Sequence, residues 1–158
     1  MRNIIRGREV VADIWRYAGE AGGGPEVLSL DALLAVVADG SAPASGLGVS
    51  LQPADEPEKL AGVLPSLALI VIEFPKVGEG RGFSQAQLLR QRYSYTGELR
   101  ARGALKRDQL LFLARCGFDS FDLDPTENLT ASLAAFNDFS AAYQPAPGGG
   151  LPQRAQRT

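Results

Sequence analysis

The sequence contains no histidine and a single cysteine, Cys116, among 158 residues. Each shortage removes a class of chemistry. Without imidazole the chain cannot supply a Ser-His-Asp or Cys-His arrangement, or a histidine acid–base group. A lone cysteine excludes an internal disulfide. With no imidazole beside it, it also excludes four-thiolate iron–sulfur ligation, the usual haem ligand pairs and a typical structural zinc site. Redox chemistry would need an organic cofactor or a partner that carries the metal. No cofactor is therefore expected on the chain alone, and no metal ligands are assigned. Long apolar runs are also missing. The longest, LALIVI at 67–72, is far too short to span a bilayer. The N-terminus lacks a signal-peptide pattern, so a cytoplasmic protein without membrane contact is the expectation.

What is present points to one α/β domain. Basic and acidic residues nearly balance, 16 against 18, which by itself argues neither for nor against a nucleic-acid partner; none is expected. Strand-like runs at 8–17, 46–53, 67–74, 98–103 and 118–123 alternate with helical patterns at 29–38, 56–64, 84–93, 106–117 and 126–143. Ser29 and Thr126 read as N-caps, Ser84 and Gln87 as a capping box, and Gly117 as a helix terminator. Alternation with short connections predicts a single domain over 1–143, with a mostly parallel sheet of about five strands flanked by helices. A partial or distorted β/α barrel is the alternative. Residues 144–158, rich in Pro, Gly and Gln, read as a disordered tail.

Charge is unevenly distributed. Residues 81–115 hold eight basic residues and only two acidic ones, Glu98 and Asp108. Arg100 and Arg102 fall on the same side of a predicted strand, opposite Leu99 and Ala101. There they need partners or an opening in the sheet. Just upstream, GEGRGFS at 78–84 leaves the most apolar strand and enters a helix. Such loops sit where parallel sheets place ligands, and a helix start offers backbone N–H donors to anions. An anion site built from Gly80, Arg81, Gly82, Ser84, Arg100 and Arg107 is the resulting expectation. Asp108 and Glu79 are its candidate acid–base groups. The dinucleotide fingerprint fails, because position 83 is Phe and Glu98 lies at the wrong end of the next strand. A nicotinamide site is not expected, and the Walker A pattern is absent. Cys116, near a helix C-terminus, reads as a buried and inert thiol.

The stretch 74–123 resembles the bacterial family called domain of unknown function 934. The resemblance rests on Phe74-Pro75, Gly80 to Ala86, Leu88-Leu89-Arg90, Gly97 to Ala101, Arg107 to Leu110 and Arg115 to Asp119. Trp15 fits an early tryptophan of that family. Three positions depart from its pattern: Glu79 replaces Asp, Ala104 replaces an acid, and Arg102 replaces an apolar residue. Arg102 thus falls outside a family-wide site. The resemblance implies a role in sulfur assimilation, beside assimilatory sulfite reductase. The missing metal ligands then favour an accessory protein of sulfite reduction that docks on sulfite reductase or its electron donor and binds a small oxyanion. An enzyme that holds a phosphorylated or sulfur-containing substrate in an arginine clamp is the other reading.

Overall fold

The computed structural model describes residues 2–17, 19–40, 45–76 and 80–142. Among the described residues eight strands form one sheet: β1 (Asn3–Arg6), β2 (Glu9–Ala12), β3 (Arg16–Tyr17), β4 (Glu26–Ser29), β5 (Leu47–Leu51), β6 (Leu67–Phe74), β7 (Glu98–Gly103) and β8 (Ser120–Asp122). Their spatial order is β2-β1-β8-β7-β6-β5-β4-β3. From β3 to β8 the neighbours are parallel, but β1 runs antiparallel to both β2 and β8. The expectation of about five, mostly parallel strands is corrected on both points: the sheet has eight strands and is mixed. β1 and β4 are only four residues long, too short for their periodicity to stand out. The run at 8–17 is not one strand but two, β2 and β3, at opposite edges of the sheet.

That split dictates the shape. Residues 13–15 alone join the two edge strands. Four Cα steps from Ala12 to Arg16 reach at most about 15 Å, whereas eight strands laid flat would span about 34 Å. The sheet must therefore curl until its edges approach, giving a half-barrel. The connecting strap lies over the face that carries Arg100, since Asp13 bonds Arg100 and the Trp15 ring covers Gly48. That face is the inside of the curl.

The outer face is covered by helices. They are α1 (Leu30–Ala38), α2 (Arg81–Gln87), α3 (Leu110–Cys116) and α4 (Leu129–Ala142). Ile70, Ile72, Phe74, Leu99, Ala101 and Phe121 point outward into a core with Leu33, Leu89, Leu110, Leu113 and Phe136. Ser29 caps α1 as expected, accepting from Ala32 N–H, and Gly117 ends α3 with φ of 111°. Other ends differ. Helix α2 begins at Arg81 rather than Ser84, and α4 is capped by Asn128, which accepts from Ala131 N–H. In place of the helix expected over 56–64 there are two short 3₁₀ turns, Pro57–Leu60 and Leu64–Ser66. Among the described residues no helix is long and apolar enough to cross a membrane. The expected tail at 144–158 lies outside the described residues.

Candidate functional site

Strand register builds a charged interior. Arg100 stands beside Val71 and Ser120, and one tier higher Arg102 stands beside Glu73 and Asp122. Because side chains alternate along a strand, all of these face inward, and opposite charges meet directly across neighbouring strands. The lower tier is sealed, with Arg100 only 1% exposed. Its Nη1 donates to both Asp13 oxygens at 3.1 Å and to the Tyr17 hydroxyl at 3.2 Å. Its Nη2 donates to Glu98 at 3.1 Å and its Nε to Ser120 at 3.2 Å. Burial works against this charge, yet Tyr17, Asp13 and Glu98 outweigh it and raise the Arg100 pKa. Burial also pushes the Tyr17 phenol up to about 12, so it stays protonated.

The upper tier lies at the carboxyl ends of the parallel strands. Arg102 Nη1 grips both Glu73 oxygens at 3.0 and 3.3 Å. Asp122 Oδ2 is 3.5 Å from the Nε of both Arg102 and Arg2. For Arg2 that is an ion pair without hydrogen-bond geometry, so its buried Nε–H is unsatisfied. Arg2 also donates to Asp13 at 3.1 Å and Glu20 at 3.0 Å. The guanidinium groups of Arg102 and Arg2 lie 3.7 and 4.8 Å from the centre of the Tyr17 ring. Burial raises the pKa values of Glu73 and Asp122, against the pull of neighbouring arginines.

A native pKa above the unfolded value means that the folded state holds the proton more tightly. That contribution favours folding in acid and is lost as pH rises through the raised pKa. Glu73→Gln removes the Glu73 share. Its stability relative to wild type should therefore improve from pH 4 to pH 7, measured by urea unfolding at each pH. A relative decline over that range would show that Arg102, not burial, governs Glu73.

These side chains comprise three arginines and five carboxylates, each paired with a group of opposite type. Carboxylates outnumber arginines, so the network is a poor receptor for an anion. The sequence signal for it was partial. The spacing of Arg100 and Arg102 called for partners, and Glu73 interrupts an otherwise apolar strand. Nothing local marked Asp13, Tyr17, Asp122 or Arg2, because their meeting depends on the curl.

The sequence-predicted anion residues fall on the other side of the sheet, except Arg100. Gly80, Arg81 and Ser84 are exposed at the start of α2, and Arg107 and Asp108 are exposed in the 3₁₀ turn before α3. The Arg107 backbone N–H donates to Glu127 at 3.0 Å. Glu79 lies outside the described residues. Arg100 is therefore not brought together with Arg81 and Arg107: the sheet separates them. Cys116 is buried, and burial raises its thiol pKa.

Gly82 is buried and has a packing reason. A Cβ there would fall 2.6 Å from the Phe74 ring and 3.0 Å from Ile72. At Gly80 a Cβ would meet nothing within 4 Å. Gly82→Ala should cost up to about 2 kcal/mol, overpacking of about 1–3 set against a helix-propensity gain of about 1. Gly80→Ala should change stability by less than about 0.5 kcal/mol. Equal thermal melts for the two variants would contradict close packing at Gly82.

Close approach of α2 also sets up an aromatic ladder. Phe74 in the core meets Phe83 at 5.2 Å, and Phe83 meets Phe112 of α3 edge-on at 5.1 Å. Phe112 is 54% exposed, an unusual state for a ring of that size. Arg115 follows it by one helical turn. The two helices and the turn before α3 carry a single acidic residue, Asp108, while Arg81, Arg107 and Arg115 reach solvent.

Fold and surface thus define an α/β half-barrel with helices on its outer face and paired charges inside. The chain belongs to the family described as bacterial protein of unknown function, DUF934, which it matches over residues 48–153. Neither a curated protein nor a solved structure matches it.

Proposed function

We propose that this protein is an accessory component of sulfite reduction that docks on sulfite reductase through the outer surface of α2 and α3. The exposed Phe112, backed by Phe83 and bordered by basic side chains, is the observation that carries this reading. Aromatic rings and arginine are the residues that most often anchor protein interfaces. A basic rim favours an acidic partner face and speeds encounter. Arg100 is buried and already bonded to Asp13 and Glu98, so a substrate clamp that includes it lacks support. The sulfite association itself comes from the resemblance to the family, and docking adds a surface to it.

The test is co-purification and calorimetry with sulfite reductase. Association should be weakened at least tenfold by Phe112→Ser combined with Arg115→Glu, and should fall as salt rises. Absence of association by the wild type, or equal binding by the double variant, would overturn the reading. Capture of the reductase's electron donor instead would move the partner to that component.

A further inference from the structure

We propose a second site, for a small molecule bearing a phosphate or sulfate group, in the cleft between the β1–β2 turn and residues 96–98. The cleft has a volume of about 640 Å³ and lies at the opposite end of the strands from the Phe74–Phe83 contact. Arg6 and Arg8 line one wall, on either side of Gly7, whose φ of 65° forms the turn. Gly7 N–H is anchored to the Asp119 carbonyl at 2.8 Å, so the turn is held against β8. Thr96 and Gly97 line the facing wall.

The charge balance of this cleft argues for an anion. Its two inner carboxylates are already occupied. Glu98 accepts from buried Arg100 at 3.1 Å. Asp119 accepts from Leu99 N–H at 2.8 Å and pairs with Arg90 at 3.3 Å. Arg6, in contrast, meets no carboxylate among the described residues. Arg8 lies over the Phe136 ring at 5.2 Å, which orients its guanidinium without neutralising it. Two guanidinium forks on a short anchored turn, facing a threonine hydroxyl, suit the oxygens of a tetrahedral oxyanion. Among the described residues only Glu9 remains in the cleft as an acidic side chain without a cationic partner. The site owes nothing to the docking surface, and either can fail alone.

The experiment uses the full chain, titrated with inorganic phosphate and with sulfate at constant ionic strength set by chloride. Amide chemical shifts of Gly7, Thr96 and Gly97 should move and saturate. Arg6→Gln should weaken binding about tenfold, the worth of one charge-assisted bond. Glu9→Gln should tighten it, and both variants should keep the wild-type melting temperature. Arg92→Gln, on the helical face, should leave affinity unchanged. Shifts centred on residues 80–84 would overturn the assignment. So would equal affinity of wild type and Arg6→Gln, or equal effects of chloride.

Discussion

Arg100→Leu should destabilise the protein by about 3–5 kcal/mol, the cost of breaking a buried pair by removing one partner. Total stability of a domain this size is about 5–15 kcal/mol, so the variant should be marginal at 37 °C. The substitution strands the Asp13 side chain, 1% exposed, with only Arg2 and the Trp15 N–H to hold it. It also removes the donors to Glu98, Tyr17 and Ser120. Arg100→Lys should rescue little, because one ammonium cannot reach acceptors spread around a planar fork. Combining Arg100→Leu with Asp13→Asn should cost less than the sum of the two single changes, since the stranded charge goes with its partner. Urea unfolding of the four proteins checks this. A loss below about 1 kcal/mol for Arg100→Leu would mean that water enters the curl and solvates Asp13.

The strands that read clearly in the sequence are those whose pattern is local. The run LALIVIEF emerges as β6 without a shift, and ELRARG as β7. The placement of Arg100 and Arg102 on one face, in need of partners, follows from strand alternation alone. What could not be read depends on distant parts of the chain. Residues 8–17 have the composition of one strand, and Asp13 looks like an ordinary polar position within it. Only the closure of the sheet turns residues 13–15 into a strap and aims Asp13 at Arg100, 87 positions away. The GEGRG stretch also holds a feature set by distant residues. Its second loop glycine, Gly80, has open space, but Gly82 is required by the Phe74 ring, a tertiary contact that the local sequence does not announce.

Arg90→Ala should be the next most damaging change, at about 2–4 kcal/mol. In the sequence Arg90 looks like one more exposed helical arginine. In the fold it ties three segments together. Helix α2 continues into a single π turn over Leu88–Arg92, and Ser94 takes a positive φ of 55°. This widened turn presents Arg90 to the loop that follows. Its Nε donates to the Gly117 carbonyl at 2.9 Å, closing the end of α3. Its Nη1 donates to the carbonyls of Tyr95 at 2.8 Å and Gly97 at 2.9 Å. Its Nη2 reaches Asp119 at 3.3 Å. A Cβ on Gly117 would fall 2.7 Å from Arg90 Cγ, so glycine there is required by the arginine as well as by the helix end. Bonds from a charged donor are worth about 1.5–3 kcal/mol each when removed singly. Partial access of water to these half-buried carbonyls brings the total below their sum. The loss should be local as well as global. Hydrogen exchange should quicken first at residues 94–99 and 117–119, where backbone held by Arg90 lines the cleft beside Arg6 and Arg8. Arg90→Lys should restore at most one of the four contacts, because the others depend on the spacing of the fork. A lysine variant as stable as wild type would show that charge, not geometry, holds these segments together.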